Sequence, residues 1–339
     1  MISKPDVEGL TKLIDRFQDT PMVVVGDLIL DHYVWGRVDR ISPEAPVVVV
    51  HVTEENKRLG GAGNVARNLK TLGAKVTVCG VVGDDDAGRA LISMIDELGA
   101  NSDSVLVDRS RMTTVKTRVI AHSQQVVRVD REIVTPLADT YAHALAAAVQ
   151  STFSSTRGII VSDYAKGTIG AQLFDRISDG VAQGLIGLDK IPVLVDPKAP
   201  NFLLYRNASV IKPNRREAED ASGMSIRNRE SGVLAAQSLL ERWQSEMVLV
   251  TLGEHGMVLV GKDAKQPVIE VETEAREVFD VSGAGDTVSA VFTLALAAGG
   301  TPSEAAYLSN LAAGIVVGEI GTVAVEADEL RAALKRSRE

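Results

Sequence analysis

Apolar positions along the chain follow two rhythms. Short continuous runs, Met22-Val23-Val24-Val25-Gly26 and Val76-Thr77-Val78-Cys79-Gly80-Val81-Val82, alternate with stretches such as Val65 to Leu72 and Ala87 to Leu98, whose apolar residues recur at helical spacing. That order predicts βαβ units. Further apolar runs follow at Gly158 to Ser162, Pro192 to Val195, Ala208 to Ile211 and Met247 to Thr251. Strands that are apolar throughout are buried on both faces, as in a parallel sheet covered by helices. The expected fold is α/β, a doubly wound and mainly parallel sheet between helices.

Two regions break the rhythm. Pro46-Val47-Val48-Val49-Val50-His51-Val52 leads into polar residues rather than a crossover helix, and Thr113 to Ala121 with Gln124 to Asp130 read as a hairpin turning near His122-Ser123. A small β-sheet lid is therefore expected, its strands drawn from about 34–58 and 112–131 and inserted into a single domain covering 1–339. Four successive valines make both faces of one lid strand apolar, so a second protein surface is expected to cover the outer face, giving a homodimer through this sheet.

A chain of 339 residues with 45% hydrophobic content suffices for one large α/β domain with an appendage. The net charge of -9 leaves no basic surplus, so neither nucleic acid nor an anionic membrane is expected as a partner, and a small molecule is. Cys79, the single cysteine, sits in an apolar run and reads as a small buried thiol. The N-terminus carries acid early, and no run approaches the ~18 apolar residues of a membrane span, so the expectation is a soluble cytoplasmic protein. The histidines are scattered without zinc-ligand spacing, so no metal held by the protein itself is expected.

The most informative segment is Asp280-Val281-Ser282-Gly283-Ala284-Gly285-Asp286-Thr287, which runs into an apolar helical stretch from Val288 to Ala298. A turn built from Gly283, Ala284 and Gly285 lets backbone N–H groups point at an anion where the helix begins, with the helix dipole adding positive charge. Asp286 at that helix start is placed to take the proton of a hydroxyl attacking a phosphoryl group. The same letters also describe an ordinary capped helix. Two other glycine patterns compete. Gly256 to Lys262 has Walker spacing, but Asp263 stands where Ser or Thr would hold magnesium, and the middle residues form an apolar strand. Gly61-Ala62-Gly63-Asn64-Val65-Ala66 fits a dinucleotide fingerprint with Asp84 downstream, yet Glu54 to Leu59 are expected to separate the glycines from any preceding strand.

On these residues the chain resembles the ribokinase family of sugar kinases over essentially its whole length, with Gly60-Gly61-Ala62-Gly63-Asn64 matching the N-terminal signature and Asp280 to Asp286 the C-terminal one. Within the family it is most similar to the kinases of D-glycero-β-D-manno-heptose 7-phosphate, on Ile41 to Val47, Ser123 to Asp130 and Ser162 to Gly167. Ser282 stands where many members have threonine, which keeps the hydroxyl.

The resemblance implies ATP-dependent phosphorylation of an anomeric hydroxyl, with ATP and magnesium as cofactors and a monovalent cation as a further one, in lipopolysaccharide core synthesis. It puts Asp27, Asp31, Gly60, Gly61 and Asn64 beside the sugar and adds Asp163 from a matched segment. A phosphorylated sugar needs a cation, for which Arg118, Arg128, Lys166 and Lys198 are the candidates. On the nucleotide side it implies Asn214 and Glu217 of an Asn-x-x-Glu motif, then Thr251, Gly253 and Gly256, with Asn310 at the adenine. Magnesium would come with ATP, and Glu217 would reach it through water. Asn214 and Glu217 also fit a capping box. The chain has no His-x-Gly-His motif, so a separate nucleotidyltransferase is expected to act later in the pathway. Kinases for ribose, fructose or nucleosides share the ATP motifs, and a silent sugar-binding protein would share the fold, so the sugar stays open.

Overall fold

The computed structural model describes residues 6–122, 124–262, 268–273, 283–319 and 323–336. Its strands are β1 (Pro21–Gly26), β2 (Leu28–Ile41), β3 (Val48–Gly61), β4 (Lys75–Gly83), β5 (Asn101–Asp108), β6 (Thr114–Ala121) and β7 (Gln124–Arg131), followed by β8 (Gly158–Ser162), β9 (Val193–Asp196), β10 (Val210–Ile211), β11 (Met247–Thr251), β12 (Met257–Gly261) and β13 (Ile269–Val271). Among the described residues they form a nine-stranded sheet, ordered β13-β12-β11-β10-β9-β8-β1-β4-β5, and a four-stranded sheet, ordered β3-β2-β6-β7. The large sheet is parallel from β11 to β5, and β12 and β13 join one edge antiparallel.

Alternation explains why the strands read as continuously apolar. Met22 and Val24 of β1 enter one hydrophobic cluster, which includes Leu69 and Phe292, while Val23 and Val25 enter another, which includes Ile177 and Trp243. Successive side chains of a strand point to opposite faces, so helices must cover both. The order of the large sheet reverses at β1, which lies between β8 and β4. Doubly wound sheets open a crevice at such a point, outside the carboxyl ends of the strands.

In the small sheet β2 pairs antiparallel with β3 and parallel with β6, and β6 pairs antiparallel with β7. All of β7 is exposed, as are Ile41, Val47, Val48 and Val52. One expectation is overturned here. Glu54 to Leu59 do not separate β3 from the glycines, because β3 runs through them to Gly61 and a helix opens at Ala62. Polar residues suit that strand because most of its length is solvated. The dinucleotide reading fails instead because β3 belongs to the antiparallel lid sheet, and because Asp84 is engaged by Arg89 at 3.5 Å and Arg109 at 3.3 Å. Met257–Gly261, inside the Walker-spaced segment, is strand β12.

Cys79 is buried, and burial pushes its thiol up to about 11. No helix of the described residues is long and apolar enough to cross a membrane.

Gly61 has φ of 57°, and a Cβ there would collide with the Asp27 carbonyl, whereas Gly223, at φ 73°, closes the helix Arg215–Ser222 with nothing within 4 Å. Ala at Gly223 meets only the left-handed backbone penalty, about 1 kcal/mol, whereas Ala at Gly61 adds the collision and costs about 2–3 kcal/mol. Urea unfolding of the two variants checks this, and equal losses would contradict the packing described.

Candidate active site

The helix Ala284–Ala297 starts from Gly283, which takes the left-handed conformation at φ 84°. No helical carbonyl reaches the first-turn N–H groups, so they face outward as donors. Asp286 lies in this turn and is 4% exposed. Asn64 Nδ2, from the helix Ala62–Thr71, donates to Asp286 Oδ2 at 2.7 Å, and the Tyr164 hydroxyl donates to Oδ1 at 2.7 Å. Beside them, the Thr287 hydroxyl donates to Asn68 Oδ1 at 3.0 Å, so the two helices that carry the glycine signatures are tied twice. Asn64 Oδ1 is buried and has no hydrogen-bond partner among the described residues, which leaves an acceptor beside Asp286 for an incoming hydroxyl. Asp280 to Ser282, the first part of the signature, lie outside the described residues.

Burial raises the Asp286 carboxyl to about 6; the Asn64 and Tyr164 hydrogen bonds and Lys212 oppose the rise, while the Asp196 charge adds to it. A carboxylate with that pKa is ionised at neutral pH yet holds a proton more tightly than an exposed aspartate, which suits a general base.

A cavity of about 510 Å³ runs from Asp286 past Lys212 and Asp196 to Asn214, Glu217 and Gly253. A second, of about 480 Å³, shares Thr251, Gly253 and Gly285 with it and continues past Gly256 and Asn310 between Met257, Val288 and Val317. The first is lined by charge and the second by apolar side chains. That sequence of surroundings matches a polyphosphate leading to a flat heterocycle. Asn310 donates through Nδ2 to the Glu272 carbonyl at 2.7 Å. Asn214 and Glu217 do form a capping box, and Glu217 is also paired with Lys198.

Several expected sugar ligands are otherwise engaged. Asp27 is largely engaged by the backbone: Oδ2 accepts the N–H groups of Tyr164 at 2.7 Å and Lys166 at 3.0 Å, and Oδ1 accepts that of Thr168 at 3.2 Å, which leaves one lone pair on Oδ1. Asp163 is held by the Tyr205 hydroxyl at 2.6 Å, Asn201 at 2.7 Å and the Ala165 N–H at 2.6 Å, and burial, with Asp27 next, raises it to about 6. Lys198 lines the charged cavity, paired with Glu217 and with Asp163 on the same wall. Lys166 pairs with Glu132 at 2.9 Å, and Arg128 with Asp130 at 3.0 Å on the exposed edge strand β7. Arg118 is better placed: it pairs with Asp31 at 2.5 Å on the inner lid strands, and its guanidinium lies 5.3 Å from the Tyr33 ring centre. Gly60 lies against Asp31 and Gly61 against Asp27, where any side chain would collide.

Sequence reasoning missed Lys212, Asp196 and Tyr164. Lys212 is 2% exposed, pairs with Asp196 at 3.0 Å and approaches Gly285, so it puts a cation at the floor of the charged cavity. The one signal is a lysine directly after the apolar run Val210-Ile211, at a strand's carboxyl end.

The pfkB family carbohydrate kinase model matches residues 19–328. Curated relatives include the protein named "Bifunctional protein HldE" of Pelobacter propionicus, 44% identical over 325 residues, and that of Paramagnetospirillum magneticum, 41% identical over 332. These alignments take in 96% and 98% of this chain but only 65% and 66% of those proteins. A separate nucleotidyltransferase finds no support in these names, which describe bifunctional proteins. Among solved structures, Arabidopsis thaliana ribokinase complexed with ribose and ATP superposes with a TM-score of 0.73 at 19% identity, covering 94% of this chain and 99% of that one. Escherichia coli phosphofructokinase-2 in complex with potassium gives 0.78 at 20%, covering 95% and 100%. The fold is thus ribokinase-like, as the resemblance implied, and the doubly wound α/β sheet is the one the sequence pattern anticipated.

The raised carboxyl of Asp286 has a stability consequence. Its folded pKa of about 6 exceeds the ordinary 3.8, so the folded state binds the extra proton; that stability is fully present below about 4 and lost as pH rises through 6. Asp286→Asn should therefore gain on the order of 2–3 kcal/mol over the native protein at pH 8, an advantage that shrinks toward pH 5. Urea midpoints measured across that range check it, and a constant difference would contradict it.

Proposed function

Because the chain belongs to the pfkB family of carbohydrate kinases, we propose that it transfers the γ-phosphoryl group of ATP to the anomeric hydroxyl of D-glycero-D-manno-heptose 7-phosphate, giving the 1,7-bisphosphate and ADP in the supply of ADP-heptose for lipopolysaccharide core. The observation that carries the transfer reaction is the buried Asp286 carboxylate, at a helix start and on the wall of the charged cavity, held by Asn64, whose own carbonyl oxygen has no hydrogen-bond partner among the described residues. The choice of heptose rests on the HldE relatives, at 41–44% identity.

In this reading the acceptor hydroxyl gives its proton to Asp286 as its oxygen bonds to the γ-phosphorus, and the bond from that phosphorus to the bridging oxygen of ADP breaks. Lys212, the N–H groups of Gly283 to Gly285 and the helix dipole stabilise the charge on the transferring group, and fixed donors in a buried site do so without reorganising. Asp196 and Glu217 present hard oxygen donors to the same cavity and fit a magnesium ion carried by the nucleotide. That ion neutralises phosphate charge when bound. Asp31, Gly60 and Asn64 frame the sugar, and Arg118 meets its phosphate by exchanging part of its pairing with Asp31. Closure of the lid excludes water, which otherwise competes as acceptor.

We also place a homodimer, in the cytoplasm, at the exposed lid face, where Val126, Val127 and Val129 lie uncovered on β7. Light scattering is expected to return twice the monomer mass at micromolar concentration, and Val127→Lys with Val129→Lys should return a monomer; a monomeric native protein contradicts this assembly.

ADP release over a panel of heptose 7-phosphate, unphosphorylated heptose, ribose and fructose tests the substrate. The phosphorylated heptose is expected to give the highest kcat/KM, and Asp286→Asn to lower its turnover by about a hundredfold or more with ATP affinity kept within a few-fold, the scale for losing a general base. Preference for another sugar would overturn the substrate, and near-normal turnover in the variant would overturn the role of Asp286.

A further inference from the structure

The segment after β8 is wound tightly. Ala165 has φ of 55° and Gly167 of 87°, and a side chain at Gly167 would collide with the Thr135 carbonyl. A non-glycine residue persists in the left-handed region where its surroundings over-determine it. Here Asp27 does so. It follows β1 at the switch point of the large sheet, is 1% exposed, and accepts the N–H groups of Tyr164, Lys166 and Thr168. Tyr164 is thereby fixed by its own backbone, and its hydroxyl ends 2.7 Å from Asp286 Oδ1.

Resting on the kinase reading above, we propose that Tyr164, anchored by Asp27, is the positioning residue of this site: its hydroxyl holds the Asp286 carboxylate in line for the acceptor and keeps it ionised. The phenol acts only as a donor, because burial and the Asp286 charge hold its own ionisation well above the usual tyrosine range. Donation to a carboxylate favours the charged form. The other groups facing Asp286 are Asn64 from the helix Ala62–Thr71, Asp196 at the end of β9 and Lys212 after β10; Asp31 and the Lys198 ammonium, 5.9 Å from the ring centre, face Tyr164. Asn64 and Tyr164 each hold one oxygen, so the carboxylate cannot rotate while the remaining lone pairs stay open to substrate. This also gives Asp27 its role, as an anchor of the loop rather than a ligand of the sugar.

The test is kcat/KM against pH for native enzyme and Tyr164→Phe, with thermal melts confirming that each is folded. The native acid limb is expected near pH 6. In the variant it moves up by about one unit, so kcat/KM falls roughly tenfold at pH 5.5 and returns to within a few-fold at pH 8.5, with the sugar KM there little changed. Asp27→Asn keeps the hydroxyl but loosens its anchor, and is expected to move the limb in the same direction. A uniform loss with the limb unmoved in both variants would overturn the proposal, leaving Tyr164 as a wall of the cavity. Native protein that phosphorylates no sugar would instead overturn the kinase reading beneath it.

Discussion

The hydrogen bond from Asn64 to Asp286 joins residues 222 positions apart, and the site exists because that contact forms. Each partner sits in the first turn of a helix, and each helix begins where a glycine takes a positive φ, Gly61 at 57° and Gly283 at 84°. Either turn alone would be a helix start with a few outward donors. Packed together and tied again through Asn68 and Thr287, they bury a carboxylate that, among the described residues, has two side chains to satisfy it. Desolvation is then the largest influence on Asp286, and in the proposed reaction that costly charge is the one that takes the proton.

The sheet topology decides which groups surround that carboxylate. β1, β8, β9 and β10 end side by side, and the residues found there are Asp27, Asp163, Asp196 at the end of β9 itself, and Lys212. Three acids and one lysine at adjacent strand ends would repel strongly if all the acids were free. Asp27 and Asp163 take backbone and side-chain donors, Asp196 is paired with Lys212, and Asp286 is the carboxylate that Asn64 and Tyr164 hold. Which acids are fully engaged and which keeps a carboxylate held by Asn64 and Tyr164 is thus decided by the donors within reach of each.

That division is also where the sequence stops being legible. The parallel sheet is readable because a strand buried on both faces must be apolar at every position, and β1 and β8 are. The helix starts are readable because small residues ahead of an apolar helical run mark a tight turn into a helix. An aspartate after a strand reads the same whether it faces a ligand or three N–H groups, so from sequence Asp27 falls to the sugar. Lys212 escapes notice because a lysine after an apolar run normally marks the return to solvent, whereas here Asp196 lets it stay buried. Glu54 to Leu59 mislead in the opposite sense: an exposed antiparallel strand carries polar residues, and periodicity alone takes them for a connection.

The proposed chemistry depends on Asp286 being a desolvated carboxylate held by Asn64 and Tyr164, and its ionisation can be observed directly. In protein labelled with carbon-13 at aspartate side-chain carboxyls, with the resonance assigned by its loss in Asp286→Asn, the Asp286 signal is predicted to titrate with a midpoint at about 6. A midpoint near the ordinary 3.8 would show a solvated acid at a capped helix, and would contradict the active site described.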